Sequence, residues 1–386
     1  MTVRVNKPAF NLREKLSELT SKFGLKGTEL ARAETVQDAR DTISAGRKNL
    51  IINGAMQVAQ RGTVVNAGNE YGGPDRMRLG KNDGAFTISQ DTDVPAGSGF
   101  VKSYKIDVTS IAGTSGNYYT FLQQRFEGQD LQVLKKGTSS AESFTLQFWI
   151  KSTIPGTYVV EIYDNDNNRS ISQSYTVNVA NNWEHKILTF SGDTTGALDS
   201  DNNTSIEINC WLFAGTGYSS GTLNTSWNTQ NNANRVVGQV NAANNTSNNI
   251  YFTGFQLEVG KNATEFEHRP YGEELALCQR YYHRDPTNWY QSAIIDGNGT
   301  IIGTFIRHPV PMRATPSVNH LVIGAYYWNI NGTGNSSVTP NGNTSYYSGN
   351  ETFGLANLSS CNNLGGANND QITGQFKTQI EYDAEL

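Results

Sequence analysis

Charge is scarce in this chain of 386 residues. Asp, Glu, Lys and Arg make up 17% of it, against roughly 25% in ordinary globular proteins. Helical bundles and coiled-coil rods build their surfaces from those side chains, so neither is the expected main architecture. Positive charge is not in excess either: 30 Lys and Arg stand against 35 Asp and Glu, for a net charge of -5. A nucleic-acid binder needs a basic face to displace counterions, and none is legible. Cysteine is nearly missing. Cys210, Cys278 and Cys361 lie far apart, with no CxxC pair and no zinc-knuckle spacing. One disulfide leaves an odd thiol, so synthesis in a reducing cytosol is expected, and Cys210, inside an apolar run, reads as a small core residue. No run approaches the roughly 18 apolar residues of a membrane span, and the first 30 residues hold no apolar signal-peptide core. No membrane insertion is expected.

Catalytic signatures are missing too. His185, His268, His283, His308 and His320 belong to no HExxH, and neither GxSxG nor a Walker A sequence occurs. His185 alternates within a strand-like run and reads as structural. A glycosidase needs two carboxyl groups about 5–9.5 Å apart, a separation that sequence does not display. Binding without turnover is the expectation.

Amides and turn residues are what the chain has: 42 asparagines and 38 glycines. Aromatics stand at 10%, with 18 Tyr, 16 Phe and 6 Trp, enough to build cores. The balance points to a mainly β protein of many short strands and long polar loops. Few charges and many Asn, Thr, Ser and Gly resemble an extracellular surface. Such a surface without a secretion signal fits a component of a virus particle released by lysis.

Residues 1–48 differ from the rest. Leu12, Leu16, Leu19 and Phe23 follow a 4-3-4 spacing on one helix face. Two heptads are too short to stand alone, so this segment is expected to oligomerise or to dock on a partner. From Asn49 the pattern turns to β. Strands are expected at 102–110, 119–127, 144–152, 158–164, 172–180, 183–190, 206–214 and 250–259. In the third of these Phe144, Leu146, Phe148 and Ile150 alternate with polar neighbours. Pro155-Gly156 and Asn181-Asn182 supply turns. Eight or more such strands predict a central jelly-roll β-sandwich over 49–272, interrupted by a polar excursion at 215–249. A helical connector is expected over 273–284. A smaller C-terminal β domain over 285–386 follows, with strands at 289–294, 300–307, 317–330 and 373–383. Asn298-Gly299 marks a hairpin between the first two, and 331–369 reads as polar loop.

Several sets of residues carry candidate chemistry. Asp164–Asn168 and Asp199–Asn203 place oxygen ligands at alternate positions, as calcium loops do, but lack the downstream Gly and Glu; polar turns are the simpler reading and no metal site is assigned. The N-x-S/T triplets, Asn168, Asn203 and Asn224 among them, follow from the abundance of Asn, Ser and Thr. The aromatic sets say more. Tyr326-Tyr327-Trp328 and Tyr346-Tyr347 flank a polar stretch of the C-terminal unit. Sugar rings stack on aromatics and their hydroxyls pair with amides, so Tyr327, Trp328, Tyr346 and Tyr347 are the candidate glycan contacts. No cofactor is expected.

At Lys48–Thr63 the chain reads KNLIINGAMQVAQRGT, at Thr253–Tyr271 TGFQLEVGKNATEFEHRPY, and at Glu273–His283 EELALCQRYYH. With FTLQFWIKS (144–152) and WEHKILTFSGDTTG (183–196), these stretches resemble tail-fibre and other receptor-binding fibre proteins of tailed bacteriophages, notably marine and cyanobacterial ones. KPAFNLREKLSEL, followed by LARAET, is similar to the leader of such virion proteins. The resemblance implies a galactose-binding-like jelly roll with the character of a carbohydrate-binding module. It also implies an N-terminus fixed to phage tail or capsid, a C-terminal part facing a host polysaccharide, and a homotrimer on the virion surface. Relatives often carry a Trp where this chain has Met77 in Asp75-Arg76-Met77, so no site is transferred to that position. A spacer without glycan reading and a polysaccharide depolymerase are the rival functions.

Overall fold

The computed structural model describes residues 48–113, 116–284, 289–295, 301–322, 326–330, 335–338, 345–349, 353–358, 371–376 and 378–386, with side chains over 48–113, 116–284, 307–319 and 381–386. Leu12, Leu16, Leu19 and Phe23, together with Cys361 and Asn298-Gly299, lie outside the described residues. Among those described, the strands in chain order are β1 Glu70–Tyr71, β2 Arg78–Lys81, β3 Ala85–Asp91, β4 Ser103–Ser110, β5 Tyr119–Glu127, β6 Phe144–Ser152, β7 Gly156–Asp164, β8 Arg169–Val177, β9 Glu184–Phe190, β10 Thr204–Ala214, β11 Asn228–Thr229 and β12 Asn249–Val259. They form two antiparallel sheets. Sheet I has the order β1-β2-β5-β10-β7-β8-β11, and sheet II the order β3-β4-β12-β6-β9.

The protein is mainly β, and the two sheets face each other as a jelly-roll sandwich. Alternation sets the facing. On β6, Phe144, Leu146, Phe148 and Ile150 enter the core; from sheet I, Leu122, Phe126, Ile162, Ile208 and Cys210 meet them. Cys210 is thus the buried core residue its apolar surroundings predicted. Strands β2 and β3 escaped the sequence reading. β3 carries only two buried hydrophobics, Phe86 and Ile88, and takes its place by pairing with β4.

The segments that carry the resemblance to phage fibres touch one another. The Asn49 side chain accepts from Ile51 N at 3.0 Å and Leu257 N at 3.1 Å. Glu267 accepts from Asn49 N at 2.7 Å, and Arg269 Nη1 donates to the Ile51 carbonyl at 2.9 Å. Glu274 accepts from Asn53 N at 2.6 Å. Asn53 is fully buried at φ 61°, and its amide donates to the carbonyls of Val58 and Asp75. Asn tolerates this left-handed backbone better than most residues. These segments therefore form a latch that closes the sandwich, because buried polar groups need these partners.

After the latch, helix α1 (Thr216–Ser219) lies in the excursion and helix α2 (Tyr271–Gln279) follows the sandwich. The helix expected over 273–284 is shorter at its C-terminal end than its apolar spacing suggests. Tyr282–Arg284 is instead strand β13. Backbone pairing with the last strand, His283 opposite Tyr382, overrides the helical period there.

Further strands are β14 Trp289–Ile295, β15 Ile301–Arg307, β16 Ser317–Val322, β17 Tyr326–Ile330, β18 Asn335–Val338, β19 Ser345–Gly349, β20 Phe353–Leu358, β21 Gln371–Phe376 and β22 Thr378–Asp383. Two expected strands each split in two: 317–330 gives β16 and β17, and 373–383 overlaps β21 and β22. In each split, one half joins sheet III (β13-β22-β16) and the other sheet IV (β18-β17-β21-β14-β15-β20-β19). The stretch 331–369, expected as loop, carries β18, β19 and β20. Its Asn, Ser and Gly content hid strands that exist through pairing.

Candidate functional site

The outer faces of the two sheets are treated differently. That of sheet I carries Tyr119, Phe121, Val159 and Trp211. The excursion expected as polar loop folds back over these residues, with Val236 fully buried and Tyr218 and Leu223 packed beside it. Arg235 fixes the cover. It makes a bidentate pair with the buried Glu161, 2.7 Å at both oxygens, while Trp211 Nε1 donates to the same carboxylate at 3.2 Å.

The outer face of sheet II is open in its middle. Because Phe148 and Ile150 point inward, Gln147, Trp149 and Lys151 point outward. Register sets Ile187 and His185 of β9 opposite Gln147 and Trp149. The Trp149 and His185 rings stack, with centroids 5.0 Å apart and planes 25° apart. Buried Gln147 holds the imidazole: its Oε1 lies 3.0 Å from His185 Nε2, while its Nε2 donates to the Thr264 carbonyl at 2.6 Å. Partial burial, and then neighbouring Lys186, pull the His185 pKa below the ordinary imidazole value. The ring is neutral at pH 7, with the proton on Nε2 and an acceptor at Nδ1.

A bulge makes the floor. Between Thr253 and Gln256 the register of β12 against β6 slips, and Gly254 sits there at φ 67°. A Cβ at Gly254 would lie 2.6 Å from Phe100 Cζ and 3.1 Å from Trp149 Cδ1, so only glycine fits. Phe100, Phe266 and His268 form an aromatic wall, with Phe100 and Phe266 edge-to-face at 4.8 Å. The result is a cleft of about 480 Å³, lined also by Ser98 and by the exposed Glu265. Glu258, below it, is consumed by Thr264 N, Thr264 Oγ1 and Gln256. Flanking the cleft, Trp183 and Tyr251 pack edge-to-face at 6.3 Å, and Lys151 lies 4.3 Å from the Tyr251 ring centre.

Such a surface offers flat apolar rings, one acceptor carboxylate and imidazole edges. It suits a ligand with apolar faces and hydroxyl rims. His185, expected in a structural role, is exposed and forms half of the ring platform. Trp149 was missed, although its position was legible, since it is the one aromatic at a polar-phase position of β6.

The expected glycan contacts fall elsewhere. Tyr327 and Trp328 lie on β17, and Tyr346 and Tyr347 on β19; these strands are not neighbours in sheet IV, where β21, β14, β15 and β20 stand between them. Their side chains are outside the described ones, and the Tyr pair is on a strand, not the expected loop, because Tyr346 and Tyr347 pair with Asn357 and Ala356. The two acidic loops are internally satisfied turns. Asp164 accepts from Asn167 N at 3.1 Å and is bridged by Lys136, and Asp201 accepts from Asn203 N at 2.8 Å.

No protein-family model matches the chain, and the search of curated proteins found no relative. Solved structures do resemble it. The tailspike protein 4 enzymatically active domain of bacteriophage CBA120 is 15% identical over 51% of this chain, with a TM-score of 0.28; this chain spans 21% of that one. A putative sugar binding protein from Bacteroides thetaiotaomicron is 14% identical, covering 55% of this chain and 100% of its own, with a TM-score of 0.29. TmCBM61, solved with beta-1,4-galactotriose, is 8% identical, covering 55% and 99%, with a TM-score of 0.28. The ligand of each stays with that protein.

Proposed function

We propose that the protein is a phage virion fibre subunit that binds a host surface glycan through the cleft of sheet II, without turning it over. The observation that carries the reading is the Trp149–His185 platform. A large ring stands at an outward strand position over a glycine floor, on the sandwich face left open, while the aromatics of the opposite face are covered. A stacked pyranose would bury apolar surface against Trp149 and Phe266, worth roughly 25 cal/mol per Å². Its hydroxyls would meet Glu265, His185 Nδ1 and the Trp149 indole N–H. Two-carboxylate hydrolysis needs a second acid at the cleft, and Glu258 is engaged by its own neighbours.

The virion part of the proposal rests on the resemblance of residues 7–19, 30–35, 48–63 and 253–283 to phage fibres. In it, Leu12, Leu16, Leu19 and Phe23 join three chains and fix them to tail or capsid, and Tyr327, Trp328, Tyr346 and Tyr347 make a second contact at the tip. Three copies per fibre would raise weak single-site affinity through effective concentration. A glycan array probed with the full chain, beside a Trp149→Ala variant, tests the reading. A set of glycans retained by the wild type and lost by the variant is expected. New reducing ends after incubation with host polysaccharide would replace binding by depolymerisation. Equal retention by both proteins would remove the cleft from the account.

A further inference from the structure

A second cleft, of about 620 Å³, lies at the exposed end of sheet I, between that sheet and the C-terminal residues. Its chemistry is unlike that of the first. Arg61, Arg78, Arg125 and Arg284 line it, facing Glu70, Glu381, Asp383 and Glu385. Most of these charges are matched. Arg61 pairs with Asp383 at 2.8 Å and with Glu385 at 3.2 Å. Arg284 pairs with Glu381, and Arg125 with Glu207 at 3.2 Å, while Arg125 Nη1 donates to Leu386 O at 2.7 Å. Glu70 sits exposed on the rim and accepts from Gly68 N at 2.5 Å.

Arg78 is different. Among the described residues no carboxylate lies within 4.0 Å of it. Its Nη1 donates to Gln123 Oε1 at 2.9 Å, and Arg125 Nε donates to that same oxygen at 2.9 Å. One amide oxygen thus holds two guanidinium groups side by side. Gln123 is locked in that orientation, because its Nε2 donates to Glu207 Oε2 at 2.9 Å and to Asn209 Oδ1 at 2.8 Å. Desolvation, followed by Arg125, lowers the Arg78 pKa from its ordinary value, which marks a cation held beside a like charge.

We infer that this cleft binds a sugar bearing a carboxylate, with Arg78 gripping the acid group. A guanidinium fork matches the two oxygens of a carboxylate, and charge-assisted bonds of this kind are the strong ones. Asp383, Glu381 and Asn69 line the same cleft beside it. A monoanion answers the unmatched guanidinium. A phosphate monoester brings close to two charges at pH 7, and would add repulsion from Glu70, Asp383 and Glu385. The site is independent of the Trp149 cleft, which is on the other sheet.

Saturation-transfer NMR on the full chain, with glucuronate, glucose and glucose 6-phosphate as probes, tests this. Glucuronate is expected to bind more tightly than glucose or glucose 6-phosphate, and to weaken as salt rises. Arg78→Gln is expected to weaken glucuronate about tenfold or more, and Arg78→Lys less, because it keeps the charge and loses the fork. Glucose binding as tightly as glucuronate, tighter binding of the phosphate, no glucuronate signal, or an unchanged Arg78→Gln would each overturn the assignment. The wild-type probe comparison decides it even where a variant fails to fold.

Discussion

His283 and His308 meet at 2.8 Å, Nε2 to Nδ1, where β13 joins sheet III. Both are buried, and His283 stacks on Tyr382 with centroids 4.5 Å apart. A nitrogen–nitrogen contact of that length holds one proton, so two cations do not fit. Burial, and then His308, push the His283 pKa down to about 3, and burial lowers that of His308 as well. The folded state therefore keeps neutral a group that the unfolded chain protonates below about pH 6.5. Stability from this site is complete above that value and is lost as pH falls through the window from about 6.5 to about 3. Each pH unit in the window costs about 1.4 kcal/mol per group. Going from about pH 7.5 to about pH 5 should remove about 2 kcal/mol through His283 alone. Asp75 acts in the opposite sense, since burial raises its pKa, so the readout is a difference between proteins. His283→Gln keeps a hydrogen-bonding side chain that does not titrate. Urea denaturation of both proteins at the two pH values should show the wild type losing about 2 kcal/mol relative to the variant. Parallel pH dependence in the two would refute the reasoning.

Other consequences follow from the same packing. Gly254→Val forces a β-branched residue into φ 67° against Phe100; a loss of about 2–4 kcal/mol is expected in thermal denaturation, and an unchanged midpoint would contradict the glycine floor. Arg235→Met leaves Glu161 buried and unpaired, at a cost of about 3–5 kcal/mol. Limited chymotrypsin digestion should then cut faster near Tyr218, as the cover over Trp211 loosens. Glu161→Gln added to that variant should restore part of the protection.

The sandwich was largely legible, because its strands bury one face and alternate openly. Those at 119–127 and 144–152 fall on the expected residues. Where burial is two-sided or slight, the pattern fades. β2 shows only Leu79 as an apolar marker, and β18 to β20 are short strands set in an Asn-, Ser- and Gly-rich stretch and held by their neighbours. The helix at 271–279 lost its expected last turn to a pairing partner about a hundred positions away, which no local window contains. The site was half legible. Trp149 breaks the polar phase of β6, a signal present in the sequence and overlooked, while the Gly254 bulge and the wall from 260–268 emerge only once β12 is paired. The paired guanidinium groups of Arg78 and Arg125 were hidden for the same reason: they lie 47 positions apart and meet through the register of β2 with β5.

The most direct test of the account is calorimetric titration of an array-selected glycan into the wild type and into Trp149→Ala. Loss of a stacked indole at the centre of a site should weaken binding about tenfold or more, with the fold unchanged. Equal affinity in the two proteins would place the glycan site away from sheet II and contradict the central claim.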